Sequence, residues 1–556
     1  MPLQRPCPTV APLPISPEAR MSDLDSIALK RLERIRGMPQ SKRRRALLKT
    51  IFAAALAPWN LPSAGAASRE VLFTDYPFKL GVASGFPSES GMTLWTRLCP
   101  DPMNDGGMGV MQVPMDWEVA SDEAFSNVVQ RGTWYAMAGL GHSAHVPVTG
   151  LEPDRWYFYR FIAGGESSPV GRTRTLPSPG AAMSKLRFGL ASCQHFEMGY
   201  FSAYRHMQGD APDLVLFVGD YIYEYNATAG RVRRHAHAEP YRLAEYRARY
   251  AQYGVDSELQ TMRQSAPWAM TVDDHEVMND WADDVGEGLD PSFVARRAAG
   301  LQAYFENMPL PMSALLKNGR LALNRSLQAG SLAGFHILDD RQYRSPIACS
   351  RPGMGGSVFA AKDQDCPERL DPKRTMLGAV QEDWLDRQLA QSRTRWNFVV
   401  QQTLLSPLPS PGTDGPVWST DGWDGYPAAR ERLLTTLQKR RPDNPVILGG
   451  DIHATVASDV KSDFSDPDSR IIASEFAGTS LTSPGMPASV FNPKLEANPH
   501  VHYGDCERRG YLLFDLKPDG LDVAVRNTST ITERDSDCLT VARFHVEANA
   551  PGIRRA

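Results

Sequence analysis

The chain has 556 residues, 42% of them apolar and 22% charged, with a net charge of −4. That length exceeds one ordinary core and predicts two folded domains. The near-neutral balance, with no long basic stripe in the body of the chain, argues against a nucleic-acid-binding surface. The seven cysteines include no C-x-x-C pair, which argues against a structural zinc ribbon.

Residues 41–49 read SKRRRALLK and run into the apolar TIFAAALAPW and the small-residue SAGAAS. This is a charged region, an apolar region too short for a bilayer, and a cleavage site near Ala64 to Ala66. Arg44 and Arg45, with Leu47, Leu48 and Lys49 behind them, resemble a twin-arginine export signal more than an ordinary secretory one. Residues 1–67 are therefore read as a removed signal peptide. The twin-arginine machinery is then a partner, and the destination is the periplasm or the exterior. The residues ahead of the arginines are long for such a region, so Met21 and Met38 are alternative starts. No other stretch is apolar enough to span a membrane. Export permits disulfides. Cys349 and Cys366 flank a Gly-rich loop and are one candidate pair; Cys506 and Cys538 are another. The twin-arginine route carries folded proteins, including those that take up a cofactor before export, and so adds independent support for a metal.

Residues 72–178 read as β. KLGVASG, GMTLWTRL, MDWEVAS and WYFYRFIAG are short, alternating or aromatic-rich, and separated by Gly, Pro, Asp and Ser. They predict a fibronectin-like or immunoglobulin-like β-sandwich of about 100 residues, ending at the linker Ser178-Pro179-Gly180. Over 186–545 apolar strands alternate with helical patterns, which predicts a layered α/β domain. The last segments, EFAGTSLTSPG and GYLLFDLKPDGLDVAVRN, return to β and are expected at the edge of the second sheet.

Four strand ends in that domain carry polar donors: Cys193 and His195; Asp220 and Tyr223; Asp273, Asp274, His275 and Asn279; Asp451 and His453. Ligands collect at the carboxyl ends of such strands. Each group alone has a plainer reading. Cys193 is then a small buried hydrophobe, the Asp-Asp-His run a turn with a cap, and His453 a core histidine. Together, read as four strand ends of one sheet, they crowd anions into one crevice. The carboxylates would repel and take up protons unless cations neutralised them. A metal cluster follows.

GDxxY, a D-H-E turn and GDxHA, with FKLGVASGFPSESGMTLWTRL, WAMTVDDHEVMND, LDDRQYRSP and RRGYLLFDL, resemble the alkaline phosphatase D (PhoD-like) family. That family belongs to the metallophosphoesterases and is related to purple acid phosphatases. The resemblance spans the mature chain. It implies a four-layer α/β/β/α sandwich behind the β-domain, a mixed Fe3+ and Ca2+ centre, and hydrolysis of phosphate mono- and diesters by a metal-bound hydroxide. Carried over by motif, Asp220 bridges two metals, Tyr223, Cys193 and His453 bind iron, and Asp274 takes the place of the usual asparagine. Asp451, where most relatives have histidine, belongs to the calcium side or the bridge. Gln401 and Gln402 stand where a further histidine is usual. These, with Asn279 and Asp339, are open candidates for a further ion. No serine-centred phosphatase motif is present.

His275 is the expected proton donor to the leaving group, with Glu276 as an orienting carboxylate. Arg341 is expected to gather phosphate charge during catalysis, and Asn279 and Arg344 to bind substrate; both arginines also read as surface ion pairs. Trp423 is placed at the pocket mouth or under a loop, and specificity in loops 226–240 and 406–426. The rivals are a diester-preferring or phospholipase-type enzyme on the same scaffold, and an exported calcium-dependent binding protein.

Overall fold

The computed structural model describes residues 72–350, 355–358 and 361–556; the export signal read over 1–67 lies outside them. Two β-sheets face each other at the centre. The first has ten strands, with a parallel trio, Leu186–Ala191, Leu214–Phe217 and Trp268–Met270, in its middle. The second has seven, built on the parallel trio Ala333–Ile337, Trp396–Val400 and Pro445–Gly449. All six are near-continuous apolar runs, as strands covered on both faces must be.

Alternation along each strand divides the two faces. In the second sheet Phe398, Val400, Val446 and Leu448 point into the core between the sheets. Val399 and Ile447 point the other way, onto Leu385, Leu389, Leu433 and Leu437 of the helices Ala379–Gln391 and Pro427–Arg440. In the first sheet Phe188 lies inward, 5.2 Å from both Phe335 and Phe398. Its neighbour Gly189 faces outward, where a Cβ would come within 3.2 Å of Met207 on the helix Ala203–Gly209. The helix Ser257–Ser265 packs beside Ala203–Gly209 and against the strand Val82–Gly85, and Leu243–Gly254 packs on the helix Phe293–Asn307. The result is the expected α/β/β/α sandwich.

The C-terminal strands depart from expectation. Gly510–Leu516 pairs antiparallel with Leu186–Ala191, and Gly520–Thr528 lies beyond it, so both complete the first sheet rather than edging the second. The register explains why. Leu512, Phe514 and Leu516 oppose Leu190, Phe188 and Leu186 and continue the inward face. Ile471–Ala477 does enter the second sheet, beside Pro445–Gly449, and Val501–Asp505 lies at that sheet's edge.

The N-terminal region is all-β, but one of its leaves is not separate. Val82–Gly85 pairs with Trp268–Met270 through Gly85 and Trp268, and Met92–Arg97 and Ser143–Val148 extend the ten-stranded sheet outward. The other leaf is formed by Val113–Ala120, Val128–Ala136, Trp156–Ala163, Glu166–Ser167 and Gly171–Arg174. Val82, Leu94 and Val146 pack against Met115, Val119 and Phe161 between them. The indole Nε1 of Trp95 donates to the Glu306 carbonyl at 3.0 Å, and Arg97 donates to Asn307 Oδ1 at 3.1 Å. All described residues belong to one unit running to Ala556.

Of the two candidate disulfides, Cys349–Cys366 is formed; Cys506 and Cys538 are free. Among the described residues no helix is long and apolar enough to cross a membrane.

Candidate active site

Both parallel trios end on the same side of the sandwich, and the chain there turns sharply. Cys193 follows Leu186–Ala191, Asp220 follows Leu214–Phe217, Asp273 and Asp274 follow Trp268–Met270, and Asp451 and His453 follow Pro445–Gly449. The four strand ends therefore come from two facing sheets, three from the first and one from the second, and not from one sheet. Facing sheets close the crevice from both sides.

Gly219 permits the turn into Asp220. It holds φ at 107°, and a Cβ there would fall 2.7 Å from the Asp273 amide nitrogen. The two loops are then laced together: the amides of Cys193 and Gln194 donate to the carbonyls of Gly219 and Asp220, each at 3.1 Å.

One donor set gathers on Asp220. Tyr223 donates its phenol to Asp220 Oδ2 at 2.6 Å, His453 Nε2 stands 3.1 Å from the phenol oxygen, and Ser483 donates to that oxygen at 2.7 Å. Cys193, Asp220 and His453 each offer one donor atom within 4.8 Å of the others. The Tyr223 ring is held between His275 at 4.1 Å and His195 at 4.3 Å. A second set, Asp220, Asp274 and His275, meets the same limit, as does a third, Asp273, Asp274 and Asp451. Asp220 and Asp274 each belong to two sets.

The electrostatics fit cations. Burial raises the Cys193 thiol and the Tyr223 phenol, with the Asp220 charge adding to both. Burial likewise raises Asp273, Asp274 and Asp451, the last to about 8, despite the opposing charge of Arg341. Burial alone would raise Asp220 too, but His275, His453 and Tyr223 hold it low. Oδ2 of Asp273 is buried with no hydrogen-bond partner, which is costly for a lone carboxylate oxygen. A bound cation relieves each of these at once.

His275 is oriented by Glu224 and not by Glu276. Its Nδ1 lies 2.8 Å from Glu224 Oε2, which leaves Nε2 for the cavity that His275 lines. Glu276 instead accepts from the amides of Tyr221 at 2.7 Å and Asp273 at 2.9 Å, bracing the two loops. Asn279 lines the same cavity, and its amide donates to Glu224 Oε1 at 2.8 Å.

The arginines lie elsewhere. Arg341 is buried beneath the cavity floor. It donates to Asp273 and, at 2.7 Å, to Asp421, and reaches Asp451 at 3.5 Å. Arg344 is buried beside it and donates to Asp421 Oδ1 and to the Trp281 carbonyl, both at 2.8 Å. Neither is a surface ion pair, and neither lines the cavity.

Gln401 and Gln402 are fully buried. Gln402 donates to Thr271 and Val272, while Gln401 accepts from the indole of Trp423 at 3.1 Å. Asp339 caps the turn that starts at Arg341. Trp423 is itself buried and forms part of the wall.

The cavity measures about 310 Å³. Its wall draws on loop 406–426 through Ser406, Leu408, Ser419, Asp421 and Trp423, but takes nothing from 226–240. Sequence reasoning missed Glu224, Asp280, Asp421, Ser483 and Lys494. Glu224 was legible, one residue past Tyr223 in the same strand-end motif. Ser483 and Lys494 carry no local signal; only the fold brings them in.

A family model for the PhoD-like phosphatases matches residues 188–525, and one for their N-terminal domain matches residues 64–177. The chain belongs to the PhoD-like phosphatase family. It is 42% identical over 494 residues to the alkaline phosphatase D of Bacillus subtilis (strain 168), covering 87% of this chain and 83% of that one. A solved structure titled "Structure of PhoD" superposes with a TM-score of 0.83 at 41% identity, covering 87% of this chain and 93% of that one. As a PhoD-like phosphatase the chain is an enzyme of the phosphoric ester hydrolase class. All ten residues predicted for its site lie inside the stretch matched by the main PhoD-like model.

Proposed function

We propose that this protein is an exported, metal-dependent hydrolase of phosphate mono- and diesters. Fe3+ would be held by Cys193, Asp220, Tyr223 and His453, and Ca2+ by Asp220, Asp274 and Asp451. The observation that carries the reading is the convergence of sulfur, phenol, imidazole and carboxylate donors on Asp220 where both parallel trios end. Thiolate and imidazole are iron-type donors, and an all-carboxylate set suits a hard cation such as calcium.

When bound, the two ions supply an acidified water for in-line attack and positive charge against the phosphoryl oxygens. The chain's own side chains do the rest. His275, aligned through Nδ1 by Glu224, presents Nε2 to the departing oxygen and gives it a proton. Asn279 stands on the same wall as a polar contact for the phosphoryl group. Arg341 acts from below: its charge offsets Asp273, Asp274, Asp421 and Asp451 and fixes where they point. Arg344 does the same for Asp421. Both arginines are thus positioning residues and not contacts for substrate. Export through the twin-arginine route draws support from the Cys349–Cys366 bond, which suits an oxidising compartment.

The test is phosphate release from an aryl phosphate and a bis-aryl phosphate by the purified protein, before and after chelation. Turnover of both esters, lost on chelation and restored by iron with calcium, is expected. Turnover that survives complete chelation would overturn the metal assignment, and no turnover under any metal condition would overturn the activity.

A further inference from the structure

The cavity lining is of two kinds. Asp220, Asp274 and Asp451 are acidic donors. Leu404, Leu408, Ile452 and Met486, which belong to one apolar cluster, line it as well, together with Lys494. Lys494 stands on the helix Ala488–Ala497, and Phe491 and Leu495 of that helix pack into the same cluster. Packing of the helix therefore sets where the ammonium sits.

That ammonium is under-used. Its Nζ lies 3.4 Å from the Leu408 carbonyl, and it makes no ion pair among the described residues. The nearby acid, Asp424, is taken by Arg430 at 2.6 Å and by the Leu408 amide at 3.0 Å. Burial lowers the pKa of the amine, with Asp424 opposing only in part. A half-buried ammonium has three donors, and leaving them unmatched beside an apolar wall is unfavourable. Among the described residues it is also the one Lys or Arg side chain on the wall of a cavity whose lining includes Asp220, Asp274, Asp280, Asp421, Asp424 and Asp451.

We infer that Lys494 and the apolar wall form a leaving-group subsite, selecting phosphate esters whose ester group is apolar or aromatic and bears a negative charge at its far end. This rests on the phosphoester-hydrolase reading above. With the phosphoryl group held at Asp220, Asp274 and Asp451, the departing group lies along Leu404, Leu408 and Ile452 and its anionic terminus meets Nζ. Apolar contact supplies affinity and the single ammonium supplies selection. The helix Ala488–Ala497 thus becomes a specificity element.

The experiment uses the full, metal-loaded protein and two esters of one size, 4-carboxyphenyl phosphate and 4-carbamoylphenyl phosphate. Charge-assisted hydrogen bonds predict a kcat/KM ratio of about tenfold in favour of the carboxylate, carried by KM. Lys494→Met should collapse the ratio, Lys494→Arg should keep it, and Lys494→Glu should invert it. A ratio that Lys494→Met leaves intact would overturn the inference. So would an equal loss on both esters, which would put the ammonium on the phosphoryl group. If the wild type hydrolyses neither these nor simpler phosphate esters, the hydrolase reading fails as well; turnover of both without discrimination removes only the subsite.

Discussion

Cys193, Asp220, Asp451 and His453 hold φ at 58°, 58°, 64° and 52°, a region that costs a non-glycine residue roughly 1–3 kcal/mol. Four such residues at three of the four strand ends mark where the fold spends stability on placing side chains. Asp220 is the hub, since Tyr223 bonds to it directly and two of the carboxylate and imidazole groupings share it. Tyr223→Phe removes the oxygen that meets Asp220, His453 and Ser483. Purified Tyr223→Phe should lose iron by elemental analysis and lose any visible phenolate-to-iron band, and retention of both would remove Tyr223 from the iron side. Glu224→Gln should lower kcat by about 10²-fold with KM little changed, because it misaligns a proton donor and leaves Cys193, Asp220, Tyr223, Asp274, Asp451 and His453 in place. An unchanged kcat would assign His275 a structural role instead. At this scale the sequence was informative where a donor sits directly on a strand-end motif. It was silent where a residue acts from a distant segment, as Ser483, Asp421 and Lys494 do, and it misjudged Arg341, whose burial under the floor depends on the packing of both sheets.

The strands could be read because buried parallel strands are written as apolar runs, and Leu186–Ala191, Leu214–Phe217 and Pro445–Gly449 all are. Which sheet a strand joins is another matter. Gly510–Leu516 has the same kind of pattern, and only its register against Phe188 assigns it to the first sheet. The loops after the strands are equally constrained. Gly219→Ala forces a Cβ against Asp273 at a left-handed φ, and should cost at least about 2 kcal/mol. Denaturant unfolding of the variant, with metal content measured alongside, checks this; an unperturbed midpoint would mean that the turn relaxes freely. On the outer layer, Arg432 of the helix Pro427–Arg440 donates to Glu382 of Ala379–Gln391 at 2.8 and 2.7 Å. Burial would raise the Glu382 carboxyl, but Arg432 and Thr375 hold it below its ordinary value. A depressed carboxylate stabilises above its unfolded pKa and loses that contribution as pH falls through the folded one. Glu382→Gln should therefore cost about 1 kcal/mol at pH 7, after allowing for solvent screening, and the gap from wild type should close on acidification. A gap independent of pH would assign the loss to packing.

Across the whole molecule, the N-terminal region and the hydrolase share a sheet. The β pattern of 72–178 was legible, but its attachment was not, because strand pairing between Gly85 and Trp268 leaves no mark on local composition. Trp95, Arg97 and Phe86 meet Glu306, Asn307 and Arg325 across the same boundary. A fragment from residue 186 onward would expose the Trp268–Met270 edge, and unpaired apolar edges aggregate. It should fail to give a cooperative melt, whereas a sharp, soluble transition would show that the hydrolase folds alone. The Cys349–Cys366 bond closes a loop that reaches the cavity through Ser357, which donates to Asp280 at 2.9 Å from its amide. On the chain-entropy model such a loop contributes about 3 kcal/mol. Reduction should lower the melting temperature, and an identical melt with and without reductant would deny the bond any stabilising part. In the function proposed above one carboxylate, Asp220, organises two unlike metals for phosphoester hydrolysis. Elemental analysis of Asp220→Asn beside the wild type tests it most directly. The wild type should carry both iron and calcium and the variant should lose both; a variant that keeps both metals, or a wild type that carries neither, would deny Asp220 that role.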